Sequence, residues 1–477
     1  MVSPLSAVKQ KRLLWATTVV ALLAPVAAVG ARWRDGVKAA EQVRAGERVL
    51  DAPMDEAPTP EQLEAGRAEA LFGRAVSLDP GDARTRRARA LWHAARAYGD
   101  LARGELVLAA TESQTALREA PEEPRVLLAA AVVDLRRGEV GRAERRFDQV
   151  ERTPGVPTTV RVRSAVLHVD VLLDGGRAHE ALTLAEDVAR VAGDSAAVQN
   201  RLGLARAAVG DRDGARAAFE RARVLAPGSA TPFVNLARIS RAAGDLPGAR
   251  RMLERAVALA ESDGEAWLAY GVVLSDLGGE HASAARSAIL RAARLMPDAA
   301  GPWRAQGDLD LRAGRLNDAV ESFREALQRD ANDTASRTNL GVALARQGDR
   351  RAAMMAFEEV TQRAPSTGEA WNGLGAMRLA SDDAPGAVGP LQQATVLLPD
   401  DPNPPMNLGL ALERLQRWDD AARAFRECLR RAPAHEAAAR HLAALQPGAA
   451  TQRRSAHATG PSPAPSAVVR APRLAAR

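Results

Sequence analysis

Large apolar, small and helix-breaking residues return along this chain at a fixed distance. Segments ending in Pro121, Pro227, Pro297, Pro365, Pro399 and Pro433 align with one another, and Pro80, Gly155, Gly193, Glu261 and Ala331 occupy the equivalent place in the remaining units. Seven of the ten intervals between these eleven markers are 34 residues, and the others, 41, 38 and 36, imply short insertions. Twelve residues before every marker stands an alanine, from Ala68 through Ala421. Eight residues before it the pattern asks for a large apolar side chain, and Phe72, Phe147, Phe219, Phe323, Phe357 and Phe425 fill that place, six of the seven Phe in the protein. Nearer the start of the units stand Trp267, Trp303, Trp371 and the seventh, Phe233, with Leu202-Gly203, Tyr270-Gly271, Leu340-Gly341, Leu374-Gly375 and Leu408-Gly409 at a second fixed place. Between markers the residues are strong helix formers with few β-branched runs. Each unit therefore reads as a helix A, a turn at Gly138, Gly176, Gly210, Gly244, Gly278, Gly314 or Gly348, and a helix B stopped at the marker. Glycine takes the left-handed C-cap conformation without a Cβ penalty, and proline ends a helix because it lacks an amide donor.

A single helix pair cannot bury its apolar face, so a repeated pair implies a stacked array with one continuous core. The pattern resembles the tetratricopeptide repeat family, whose signature runs W-x2-L-G-x2-Y, then A-x3-F, then P at a 34-residue period. Trp371-Asn372-Gly373-Leu374-Gly375 matches its first part, and Ala319 to Phe323 and Ala421 to Phe425 match its second. The resemblance covers residues 61–446 and is strongest over 196–433. Before 196 it weakens, because Pro53 to Pro60 interrupts the first unit and Ser113 stands where an aromatic belongs. It implies an all-α, right-handed superhelical solenoid of about ten repeats, with Glu436 to Gln446 as a capping helix. It also implies that the A helices line a concave groove for peptide segments of partner proteins. Its groove positions map onto Asn235, Arg238, Arg241, Arg304, Asp308, Arg312, Asn339, Arg346, Asn372 and Asn407. Asn235, Asn339 and Asn407 share one repeat position, where an amide could bond a ligand backbone or simply be common at that place. The basic and Asn set that some family members use to clamp a C-terminal carboxylate is not reproduced in one contiguous run.

Outside the repeats, Leu13 to Ala31 is an uninterrupted uncharged stretch preceded by Lys9, Lys11 and Arg12 and followed by Arg32 and Arg34. At about 1.5 Å per residue it spans roughly 28 Å, the thickness of a bilayer's hydrocarbon core. Trp15 and Trp33 stand at its two ends, where amphipathic aromatics favour the membrane interface. The stretch is expected to be a transmembrane signal anchor, with a cleaved signal peptide ending near Val29-Gly30-Ala31 as the alternative. The expected organisation is thus a basic tail over 1–12, the anchor over 13–31, a juxtamembrane linker over 32–60, the solenoid over 61–446 and a disordered basic tail over 447–477. Flanking basic residues nearly tie, and the short basic leader favours an N-terminus inside with the solenoid outside the cytoplasm.

Charge changes the picture only once it is located. The 477 residues carry a net +6, which invites a nucleic-acid reading. Six basic residues and Asp35 fall within residues 1–38, and five Arg with no acid fall within 447–477, which leaves residues 39–446 at −4. A mildly acidic array between two basic ends is no nucleic-acid binder, and the basic tail suits anionic lipid headgroups if both lie on one side of a membrane. Candidate chemistry adds little. The seven His never fall at metal-helix spacing, and His435 and His441 are six apart, so this segment is not HExxH. The one cysteine, Cys428, excludes intramolecular disulfides and stands where other units carry Ala222, Ala256, Ala292, Ala326 and Ala394. A small buried side chain explains it better than a nucleophile. No catalytic motif, metal, cofactor or small-molecule substrate is expected. The expected function is a membrane-anchored scaffold for protein partners in envelope assembly or secretion. Its alternatives are an accessory subunit of an envelope enzyme complex, of the cytochrome-maturation or lipopolysaccharide-control type, and a polysaccharide-binding or export solenoid.

Overall fold

The computed structural model describes residues 38–48, 65–78 and 83–445. Among these residues every regular element is helical. The helices are α1 over residues 38–48, α2 Ala65–Leu78, α3 Ala83–Ala102, α4 Leu106–Glu119, α5 Pro124–Arg136, α6 Val140–Arg152, α7 Thr158–Asp174, α8 Ala178–Ala192, α9 Ala196–Ala208, α10 Arg212–Leu225, α11 Thr231–Ala242 and α12 Leu246–Leu259. They continue with α13 Gly264–Leu277, α14 Ala282–Leu295, α15 Ala300–Arg312, α16 Leu316–Arg329, α17 Thr334–Gln347, α18 Arg350–Arg363, α19 Gly368–Ala380, α20 Ala384–Leu397, α21 Asn403–Arg414, α22 Trp418–Arg431 and α23 Glu436–Ala444. Odd-numbered helices are the A helices and even-numbered ones the B helices, with α23 at the end. The expected anchor over Leu13 to Ala31 and the basic tail over 447–477 lie outside the described residues. Among the described residues no helix is long and apolar enough to cross a membrane.

The chain divides into two compact units, Met1–Leu236 and Ala237–Arg477. Both use the same turn. A backbone φ between 60° and 95° recurs at Gly104, Gly138, Gly176, Gly210, Gly244, Gly278, Gly314 and Gly348, and at the last two turns it falls on Asp382 and Gln416. At every turn but that at Gly278, the next residue is the N-cap of the B helix. Where it is aspartate it caps that helix, as Asp211, Asp245, Asp349 and Asp383 accept from the third amide onward at 2.8–3.0 Å. These caps satisfy backbone donors that the first helical turn leaves without an intrahelical partner.

The small position explains how closely the helices approach. All eleven alanines from Ala68 to Ala421 are fully buried. Phe72, Phe147, Phe219, Phe323, Phe357 and Phe425 are equally buried, and most face a glycine on their own A helix. A Cβ added to Gly203, Gly307, Gly341 or Gly409 would stand 2.4–2.7 Å from the ring of Phe219, Phe323, Phe357 or Phe425. Glycine is required there because the ring occupies the space a side chain would take. Ile289 against Gly271 and Leu391 against Gly375 repeat the fit with smaller partners.

One boundary differs from expectation. Residues 38–48 fall in the stretch expected to be linker, yet they are helical, and Gly46 meets the Phe72 ring as the other glycines meet theirs. Helix α1 is therefore the A helix of the first pair. The Pro-rich stretch from Pro53 to Pro60 falls in sequence between the two helices of that pair, so their spacing exceeds the period.

In residues 237–445, arginines near the C-terminal ends of B helices tie successive units. Arg329, Arg363 and Arg431 donate to the carbonyls of Pro297, Ala331 and Leu398, at 2.7, 3.2 and 2.7 Å, about one repeat back. Trp267 and Trp371 donate from Nε1 to the marker carbonyls of Glu261 and Pro365. At Trp303 the corresponding carbonyl is taken by Arg329, whose guanidinium lies over the indole at 4.6 Å, and the indole N–H is left without a partner.

Candidate functional site

The ten groove candidates all lie on A helices. Asn235, on α11, is buried within the first unit. The other nine lie in residues 237–445, where polar side chains join α11 to α13, α13 to α15, α15 to α17 and α19 to α21. Asn339 on α17 donates to Asp308 on α15 at 2.8 Å, and Asn407 on α21 donates to Asn372 on α19 at 3.1 Å. Arg304 pairs with Asp333 at 3.1 Å. Arg241 and Arg312 converge on Asp276 of α13 from the two neighbouring A helices, at 2.6 and 2.9 Å, and Arg312 also reaches the Ser275 hydroxyl. Arg346 donates to the Leu311 carbonyl at 3.4 Å, and Arg414 donates to the equivalent Leu379 carbonyl at 2.7 Å. Arg238 is exposed, with Glu265 3.7 Å away.

These bonds fix side-chain direction. An asparagine amide has two donors and one acceptor oxygen, and an interaction with one of them orients the others. Asn407 is almost wholly buried and its Oδ1 has no protein partner, as is also true of Asn200 in the first unit. Burial pushes the Asp308 carboxyl up to about 6, against the lowering influence of Arg312 and the Asn339 hydrogen bond. Its partner is a neutral amide rather than a guanidinium in direct contact, so desolvation wins.

Sequence spacing missed the acids that organise this face. Asp276 stands at the repeat position of Arg312, Arg346 and Arg414, and that opposite sign in one register was the available signal. Asp310, buried on α15, receives Arg286, Arg315 and Gln306. Its repeat-equivalent Asp134 receives Arg146, and burial raises the Asp134 carboxyl despite that partner. At the same register Arg206 and Arg378 face Glu186 and Glu358, so the charge order is reversed while the link is kept.

The histidines are placed by packing. His168 stacks on Phe147 at 5.6 Å and bonds Glu151 at 3.2 Å, and His441 stacks on Phe425 at 5.2 Å and bonds Glu413 at 2.8 Å. Donor atoms of Asp148, Glu151 and His168 lie within 4.8 Å of one another across α6 and α7, a grouping that linear spacing does not reveal. The His168–Glu151 hydrogen bond accounts for two of the three without an ion. Cys428 is fully buried among the apolar residues that include Phe425 and Ala438, and burial pushes its thiol up to about 11. It is a poor thiolate and fits the small-side-chain position.

Tetratricopeptide repeat family models match residues 166–230, 234–300, 310–377 and 406–435. These segments are tetratricopeptide repeats. The turn series, buried alanines and Phe–Gly contacts continue the repeat beyond the matched segments, as far back as α1. Cellulose synthase operon protein C of Komagataeibacter sucrofermentans is 39% identical over 89 residues, 18% of this chain and 7% of that protein. The protein of the same name from Komagataeibacter xylinus is 41% identical over 75 residues, 16% of this chain and 6% of that protein. The chain thus aligns with well under a tenth of the length of these curated relatives. Among solved structures, the APC/C hetero-tetramer Cut9–Hcn1 is similar at a TM-score of 0.49 and 14% identity, over 81% of this chain and 94% of that one.

Proposed function

We propose that this tetratricopeptide-repeat chain is a scaffold that holds an extended segment of a partner protein along the A-helix face of residues 237–445. One observation carries the reading: amides and a guanidinium group on α17 and α21 are fixed by bonds to the A helix before, so donors and acceptors are aligned before a partner arrives. Preorganised polar side chains lose little freedom on binding, which is what an extended ligand with a repeating backbone needs. The scaffold is proposed to stand at a membrane through Leu13 to Ala31, with the repeats on the outer side. A reporter fused after Pro447, together with the N-terminal sequence of the mature protein, tests that placement.

A second reading has its own support. The likeness to cellulose synthase operon protein C over 89 residues favours a place in polysaccharide synthesis or export machinery, with the repeats as the docking component. Both readings share the same binding face. The test is recovery of partners from membranes with the full chain as bait. A bait carrying Arg238→Glu and Arg241→Glu is expected to lose partners that the natural chain retains. No recovery with either bait, or an unchanged set with both, contradicts the proposal.

A further inference from the structure

The C-terminal ends of the A helices in residues 237–445 form a row of one repeat register: Asp276, Arg312, Arg346, Ala380 and Arg414. The first link is balanced toward positive charge, because two guanidinium groups, Arg241 and Arg312, share the single Asp276 carboxylate. Arg346 is exposed, and its partner is a backbone carbonyl, that of Leu311 at 3.4 Å. Among the described residues no carboxylate pairs with it. Arg414 shares its guanidinium between the Leu379 carbonyl and Asp382, a carboxylate that is 91% exposed and so heavily screened. A cation at the last turn of a helix is stabilised by the helix dipole, and this accounts for why arginine stands there. It does not consume the outward N–H groups, since a guanidinium has five donors and each of these spends one or two on the protein.

The spacing of this row carries information about what could lie against it. Successive A helices are in direct contact through their side chains, as the Asn339–Asp308 and Asn407–Asn372 bonds show, and helices so packed have axes about 8–10 Å apart. A polyproline II segment has three residues per turn and rises ~3.1 Å per residue, so side chains three apart return to one side every ~9 Å. That step matches one A helix to the next. An alternating β-strand repeats its side every ~6.6 Å and falls out of step after one helix.

Building on the proposal that this face holds a partner segment, we infer that the segment is acidic and adopts polyproline II, with carboxylates at positions i and i+3 meeting Arg312 and Arg346. The step at Ala380 is unconstrained, and a third carboxylate at i+9 meets Arg414. Arginine suits this task, because its planar fork pairs with carboxylate through two parallel hydrogen bonds. The chain's own C-terminal segment is excluded as occupant, since residues 447–477 hold five Arg and no acid.

Fluorescence anisotropy with the full chain tests this. The probe is a labelled Pro-rich peptide with Glu at its positions 1, 4 and 10, compared with an isomer carrying its three Glu consecutively and with a peptide in which Gln replaces each Glu. The spaced peptide is expected to bind at least tenfold more tightly than either control. Arg346→Glu is expected to abolish that advantage, while Arg351→Glu, an exposed arginine on the B helix α18, leaves it unchanged. Equal binding of the spaced and consecutive isomers would reduce the effect to bulk charge and overturn the inference. Equal binding of the Gln peptide, or an Arg346→Glu variant that binds as well as the natural chain, overturns it too. If no acidic peptide binds while partner recovery still depends on Arg238 and Arg241, the acidic ligand is wrong and the binding face stands.

Discussion

Residues 38–236 and residues 237–445 are built from the same helix pair, and the first unit departs more often from the ring-and-glycine fit that both contain. In the second unit the B-helix position holds Leu253, Ile289, Phe323, Phe357, Leu391 and Phe425, all large, and five of the six face a glycine. In the first unit the same position includes Ser113 and Ala185. Their partners across the pair grow or stay small accordingly: Val169 shares a core cluster with Ala185, and Ala97 stands opposite Ser113 in register. Ser113 is buried and donates to the Ala110 carbonyl, so its hydroxyl is satisfied locally. The tie between A helices differs too. Asp170 receives the guanidinium of Arg201 in the first unit, whereas Asp308, at the same repeat position, receives the neutral amide of Asn339 in the second. The repeat keeps the pair position buried and the link between helices in place, and leaves the residues that supply them free to change.

The largest test removes a ring. Phe357→Ala should cost about 3–5 kcal/mol, the range for large-to-small changes in a packed core, whereas Ser113→Ala should stay within about 1 kcal/mol. Equal costs in denaturant titrations would mean that the two units do not share a packing position.

Next in size is a pH effect. The folded state raises the Asp308 carboxyl to about 6, above the ordinary carboxylate value of ~3.9, so the folded chain holds this proton more tightly than the unfolded one. Stability from this group is therefore full below about pH 4 and is lost as pH rises to about 6, by an amount on the order of 2 kcal/mol. Asp308→Asn should flatten that part of the profile and be more stable than the natural chain at neutral pH. An unchanged difference between the two proteins from pH 4 to 7 would show that Asp308 ionises normally.

Overpacking comes third. Ala319→Leu and Ala353→Leu should each cost about 1–3 kcal/mol, because both sites are fully buried. In the first unit, Ala185→Phe should cost a similar amount, and adding Val169→Gly should recover a substantial part of it by building the ring-and-glycine fit seen at Phe219 and Gly203. A double variant as unstable as the sum of its parts would refute the compensation between those two residues.

The smallest effect is at a turn. Gln416 holds a φ of 60°, where eight of the nine other turns in the series use glycine. Gln416→Gly should raise stability by about 0.5–1 kcal/mol through relief of the left-handed backbone. Thermal unfolding of this variant and of Gly348→Ala should shift in opposite directions.

Much of this fold could be read from spacing alone, since a 34-residue return of alanine, phenylalanine and glycine has a packing cause at every place. The buried alanines and left-handed turns stand where the period puts them. Helix α1 was hidden because the Pro-rich insertion stretches its pair beyond the period. The A-helix face was only partly visible. Its candidate residues could be placed on helices by register, but the side chains each would contact depend on how one helix leans on the next. Asp310 and Asp333 emerged only from those contacts, and Asp276 had only its opposite sign in the arginine register to mark it.

The central claim is that partners lie along the A helices of residues 237–445, and site-specific photocrosslinking tests it most directly. A photoreactive residue placed at Asn372, on the A face, is compared with one at Met355, which is 63% exposed on the B helix α18. Crosslinks to a partner from position 372, with few or none from 355, are the predicted result. Crosslinks from 355 alone, or equal yields from both, would contradict it.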